Sequence, residues 1–167
     1  MKLLGIAGWS GSGKTTLVTR LLPVLIGRGV SVSTVKHAHH QFDVDQPGKD
    51  SFLHRQAGAH EVLVGSARRW ALMAELRERP EPSLSELVAK LSPVDLVLVE
   101  GFKHEGHDKI EVYRAAADKP PLYPGNATVV AIASDRALPD AGRPVLPLDD
   151  LEAIADFIFD HCALNGL

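Results

Sequence analysis

The sequence predicts a three-layer α/β sandwich around a mostly parallel central sheet. Apolar, β-branched runs alternate with helical patterns along the chain. A glycine-rich loop joins the first run to the first helix, and Val94 to Val99 is the near-continuous apolar strand expected in the middle of a parallel sheet. The order opens with Leu3 to Ala7, a strand that feeds directly into Gly8-Trp9-Ser10-Gly11-Ser12-Gly13-Lys14-Thr15. That segment is a complete G-x-x-x-x-G-K-[ST] phosphate loop, whose glycines let the backbone curl close to phosphate oxygens without a Cβ in the way. Leu17, Val18, Leu21, Leu22 and Leu25 recur at helical spacing and supply the helix that must leave such a loop. Pro23 inside this pattern is expected to kink or break the helix.

Gly27 and Gly29 punctuate the next turn, and Val30 to Val35 reads as a β-branched strand. Asp50 to Ala57 fits a short helix capped by Asp50 or Ser51. Glu61 to Val64 reads as a strand, and Arg69 to Leu76 fits a strand or a helix equally. Ser83 and Glu86 stand at capping-box spacing before a helix over Leu84 to Leu91. Ile110 to Tyr113 and Thr128 to Ala133 are further strands, and Asp149-Asp150 caps an amphipathic helix over Leu151 to His161.

The length of 167 residues suits one domain, 1–167, with a single sizeable core. A net charge of −3 argues against a protein whose main business is coating nucleic acid. A single cysteine, Cys162, cannot form an internal disulfide, which points to a reducing cytoplasm. The apolar start is too short for a secretion signal, and no segment approaches the roughly 20 apolar residues of a membrane span.

The motif predicts a bound nucleoside triphosphate. Lys14 is expected to reach the β- and γ-phosphates, and the Thr15 hydroxyl to coordinate Mg²⁺. Glu100 ends the strand Asp95-Leu96-Val97-Leu98-Val99-Glu100 at its carboxyl edge, where a carboxylate can hold Mg²⁺ directly or through water. The stretch from Lys36 to Ser51 opens at that same edge and carries three histidines, three acids and two lysines. Lys36, Lys49 and the histidines His37, His39 and His40 are suited to phosphates or an oxyanion. A zinc site is poorly supported, since adjacent histidines on an extended loop point apart. Asp45, or else Asp43, is placed to orient an attacking water. A second polar cluster, Lys103-His104-Glu105-Gly106-His107-Asp108-Lys109, follows Glu100, so Lys103 and His104 join the candidates for a second ligand. No glutamine or arginine finger is evident in the sequence, which predicts slow intrinsic hydrolysis. An alternative function is a P-loop kinase of a small metabolite, with Arg68-Arg69 and Arg77-x-Arg79 as a phosphate-clamping lid.

Beyond these readings, the chain resembles the molybdopterin-guanine dinucleotide biosynthesis protein B family. The resemblance lies in Gly-Trp-Ser-Gly-Ser-Gly-Lys-Thr-Thr, Lys36-His37-Ala38-His39-His40, Asp43-Val44-Asp45-x-Pro47-Gly48-Lys49-Asp50-Ser51, Arg69-Trp70-Ala71-Leu72-Met73 and Val99-Glu100-Gly101-Phe102-Lys103-His104-Glu105. It implies a dimeric GTP-binding protein of molybdenum cofactor biosynthesis with weak GTPase activity. The implied partners are molybdopterin or its dinucleotide and the nucleotidyltransferase that attaches GMP to molybdopterin. Gly11, Ser12, Gly13, Lys14, Thr15 and Thr16 match the family's phosphate loop, and Glu100 its acidic strand end. An Asn-Lys-x-Asp guanine signature is absent from the sequence. Asp135, in Ala133-Ser134-Asp135, is the candidate to accept hydrogen bonds from guanine N1 and N2, or else it is a helix cap before Arg136.

Overall fold

A computed structural model describes residues 1–38, 42–117 and 119–165. The backbone divides into two compact units, 1–37 with 84–167 and 38–83.

The larger unit contains β1 (Lys2–Ala7), α1 (Lys14–Gly27), β2 (Val32–Lys36), α3 (Leu84–Val88), β5 (Leu96–Glu100), β6 (Lys109–Tyr113), β7 (Val129–Ser134), β8 (Val145–Pro147) and α4 (Leu151–His161). Its six strands run in the order β2-β5-β1-β6-β7-β8, and every pairing is parallel. One face of the sheet packs Leu4, Ile6, Leu98, Ile110 and Val112 against Leu17, Leu21 and Leu25 of α1 and Ile154 and Ile158 of α4. The other face packs Val35, Val97 and Val99 against Leu84 and Leu87 of α3. All five residues of β5 are buried, which is why its sequence is an unbroken apolar run up to Glu100. α1 runs through Pro23 to Gly27 without a break. Asp150 caps α4 as expected, accepting from Ala153 N at 3.0 Å.

On the second face of β6, Lys109 and Glu111 are fully buried, and His107 packs just ahead of the strand. Lys109 Nζ donates to Glu105 O, His107 O and Thr128 Oγ1 at 2.6–2.8 Å, and so ties down the turn that follows Glu100. His107 lies against Gly5, where a Cβ would come within 2.5 Å of its Nε2. Both its ring nitrogens are buried without a hydrogen bond among the described residues. Burial, with the Lys109 charge adding to it, pushes the His107 pKa from 6.5 down to about 4. The unfolded chain therefore takes up a proton that the folded chain refuses between these values. Stability is complete above about pH 6.5 and falls as pH drops toward 4, by on the order of 1–2 kcal/mol after allowing for partial solvent screening of the ring. Urea unfolding at pH 7 and pH 4.5 should show this loss, and His107→Leu should reduce it.

The smaller unit holds α2 (Asp50–Gln56) and an antiparallel hairpin of β3 (Glu61–Gly65) and β4 (Trp70–Ala74). The ambiguous Arg69 to Leu76 segment is thus a strand. The α2 cap position is Lys49, with no side-chain cap bond, so neither Asp50 nor Ser51 serves there; Asp50 lies in the first turn. Arg55 organises this unit by pairing with Asp43, Asp45 and Glu75.

Candidate nucleotide site

β1 ends at Ala7, and the loop after it winds into α1 through glycines at positive φ: Gly8 at 145°, Gly11 at 79° and Gly13 at 98°. Gly13 is the N-cap of α1. Among the described residues, the N–H groups of Gly13, Lys14, Thr15 and Thr16 donate to no carbonyl. They form the open positive end of the helix, suited to an anion. Ser12 is 2 % exposed, and its Oγ is buried beside Gly8 with no hydrogen bond among the described residues.

Three side chains converge at the mouth of this loop. The Thr15 hydroxyl donates to Glu100 Oε1 at 2.6 Å. Lys36, from the end of β2, places its ammonium 2.9 Å from the same carboxylate oxygen and 3.1 Å from Thr15 Oγ1. The parallel registers Ile6↔Glu100 and Lys36↔Glu100 bring these sequence-distant residues side by side. An ammonium between two hard oxygens marks a cation position, and those oxygens fit Mg²⁺, which takes few protein ligands and completes its shell with phosphates and water. Among the described residues, no group of three or more His, Cys, Asp or Glu could hold a metal without such help.

Lys14 Nζ curls back to Trp9 O at 2.8 Å. Burial lowers its pKa from the ordinary value; Glu100 opposes the shift, and the charges of Lys36 and Lys103 add to it. Lys103 lies over the Trp9 ring at 4.2 Å. Positive charge is therefore concentrated here, with Glu100 the one carboxylate among the described residues acting on Lys14. An incoming polyphosphate would relieve that excess.

His37 donates its backbone N–H to Glu100 O at 2.9 Å and packs its ring on Phe102 at 4.7 Å. His104 is exposed, whereas His39 and His40 lie outside the described residues. Asp45 belongs to the smaller unit, where its side chain is 3 % exposed and both oxygens are engaged by Arg55, at 2.9 and 3.2 Å. In that arrangement it holds no water-orienting oxygen free. Asp43 also pairs with Arg55, at 2.7 Å. Asp135 accepts from Ala115 N at 3.1 Å, which ties the loop after β7 to the loop after β6. Arg77 and Arg79 donate to carbonyls of their own unit, Ala59, Leu76 and Glu75, which weakens the lid of the kinase reading.

One residue of the site escapes the sequence reading. Arg114, the first residue past β6, donates from Nε to Ser12 O of the phosphate loop at 3.1 Å. Its signal is a basic residue at the carboxyl end of a strand, on the edge where the loop opens.

A parallel sheet, a strand–loop–helix anion cradle at its carboxyl edge and an acid on the neighbouring strand define a P-loop NTPase fold. A sequence model of the MobB family, molybdopterin guanine dinucleotide synthesis protein B, matches residues 3–135. The chain belongs to that family. It is 44 % identical over 161 residues to a relative from Escherichia coli (strain K12) named molybdopterin-guanine dinucleotide biosynthesis adapter protein, covering 95 % of this chain and 91 % of the relative. A relative of the same name from Haemophilus influenzae is also 44 % identical, covering 93 % of this chain and 86 % of its own. Among solved structures, a crystal structure of molybdopterin-guanine biosynthesis protein B superposes with a TM-score of 0.75 at 30 % identity, covering 95 % of this chain and 99 % of that one. A MobB homologue from Bacillus stearothermophilus superposes with a TM-score of 0.72 at 25 % identity, covering 98 % and 99 %.

Proposed function

We propose that this chain binds GTP with Mg²⁺, hydrolyses it slowly, and acts as an adaptor in molybdopterin guanine dinucleotide biosynthesis, assisting the enzyme that transfers GMP to molybdopterin. The observation that carries the nucleotide reading is the Thr15–Glu100–Lys36 cluster beside the open amides of α1. The adaptor reading comes from the names of the two relatives at 44 % identity. Lys14 and the loop amides neutralise phosphate charge, and Thr15 with Glu100 would hold the metal ion, which when bound shields the developing charge. With both oxygens of Asp45 held by Arg55, that carboxylate is not free to activate water, which favours slow turnover. The setting is the cytoplasm, where a single thiol needs no partner. Among the described residues, no helix is long and apolar enough to cross a membrane.

The test is reconstitution of dinucleotide formation from molybdopterin and GTP by the GMP-transferring enzyme. Adding this chain should raise the yield of dinucleotide, and the Lys14→Ala form should not. An equal yield with and without the chain would contradict the adaptor role.

The active form is a homodimer joined through the hairpin. Leu63 and Leu72 are register partners that share a face with Trp70, and they are 67, 43 and 67 % exposed. A two-stranded sheet is marginal in water, and pairing with a second copy completes it. Sedimentation velocity should give a dimer that Leu63→Glu with Leu72→Glu converts to a monomer. A monomer in the unaltered protein would contradict this interface.

A further inference from the structure

Arg114 is held as a reader would be. Its Nε is fixed on Ser12 O, and its guanidinium lies against Gly13, where an added Cβ would stand 3.3 Å from Nε and 3.6 Å from one terminal nitrogen. The terminal nitrogens bond nothing among the described residues. Beyond it, Ala115, Pro120, Leu122 and Tyr123 are held by four hydrogen bonds. Ala115 N donates to Asp135, Trp9 Nε1 donates to Pro120 O at 2.7 Å, and the N–H groups of Leu122 and Tyr123 donate to the buried Glu111 carboxylate at 2.7 and 2.8 Å.

The strand order fixes the direction in which a nucleotide must lie. The cation cluster is on the β2–β5 side of the phosphate loop, and Arg114 and Asp135 are on the β6–β7 side. With the metal-binding end of the triphosphate at Thr15 and Glu100, the nucleoside leaves toward β6 and β7, where the terminal nitrogens of Arg114 are waiting.

We propose that Arg114 reads guanine, donating from its terminal nitrogens to N7 and O6 of the base. This rests on the proposal that the nucleotide is GTP. A guanidinium matches that pair of acceptors, whereas adenine presents an amino donor in place of O6 and would leave donor facing donor. Asp135 at N1 and N2 would read a different edge, so the two residues can be separated by ligand chemistry. Inosine lacks the 2-amino group, and 7-deazaguanine lacks N7.

Calorimetric titration of the full chain with GTP, ITP, ATP and 7-deaza-GTP in Mg²⁺ tests the assignment. The expected result is ITP and GTP each bound at least about tenfold tighter than ATP, with 7-deaza-GTP about tenfold weaker than GTP. Arg114→Met should abolish the 7-deaza penalty and erase most of the preference over ATP. The 7-deaza comparison needs no variant, so it stands even if Arg114→Met folds poorly. GTP preferred over ATP but matched by 7-deaza-GTP would overturn the Arg114 assignment alone. Equal weakening of GTP and ATP in Arg114→Met would instead assign the arginine to the phosphates. Equal affinity of the unaltered protein for GTP and ATP would overturn both this assignment and the GTP reading.

Discussion

Lys14→Ala is expected to weaken triphosphate binding by at least about a hundredfold while leaving the folded state as stable as before. Among the described residues the ammonium donates to Trp9 O alone, at 2.8 Å, and an incoming phosphate offers it charged acceptors instead. Charge-assisted hydrogen bonds to a desolvated phosphate are worth about 1.5–3 kcal/mol each, and two of them lost together account for that factor. The stability half of the prediction comes from the depressed Lys14 pKa. Burial and the like charges of Lys36 and Lys103 penalise the charged form in the absence of ligand, so its removal relieves the site. Thermal unfolding should therefore give the same or a slightly higher Tm without nucleotide, and the upward shift on adding GTP should vanish. A low Tm without ligand would show that Lys14 is structural.

Glu100→Gln is expected to abolish the strengthening of nucleotide binding by Mg²⁺ and to slow hydrolysis by about ten- to a hundredfold, the range that loss of one charged ligand to a catalytic cation suggests. The amide keeps an oxygen for the Thr15 hydroxyl, so the 2.6 Å hydrogen bond can survive while the charge does not. Loss of the ion pair to Lys36 should change stability little, because that ammonium is 57 % exposed and screened by water. Titrations with and without Mg²⁺ should converge for the variant and diverge for the unaltered protein. If the two proteins respond to Mg²⁺ alike, Glu100 has no role at the metal.

These residues are legible in the sequence for a simple reason. A buried parallel strand must be apolar on both faces, so an acid at its carboxyl end, as in Val99-Glu100, has little reason to be there except chemistry. The phosphate loop is legible because its backbone geometry demands glycines at fixed spacing. Lys36 reads only as a receiver of anions, since its pairing with Glu100 arises from register between strands distant in sequence. Arg114 escapes for the same reason: β6 lies beside β1 through a non-consecutive pairing that no local pattern announces. Asp45 reads as a catalytic candidate because a loop acid looks available until Arg55 is seen to occupy it. β8, three residues ending in Pro147 at the sheet edge, is too short to carry a period. β4 stays ambiguous because apolar residues that face outward, Trp70 and Leu72, break the alternation of a half-buried strand.

Calorimetric titration of GTP into the metal-free protein, with and without Mg²⁺, decides whether the phosphate loop and its neighbouring acid form a nucleotide site. Binding that Mg²⁺ strengthens by at least about tenfold is the predicted result, with Thr15 and Glu100 acting on the ion and the loop amides on the phosphates. Binding indifferent to Mg²⁺, or no binding at all, would contradict a nucleotide site built on Thr15, Glu100 and the amides of α1.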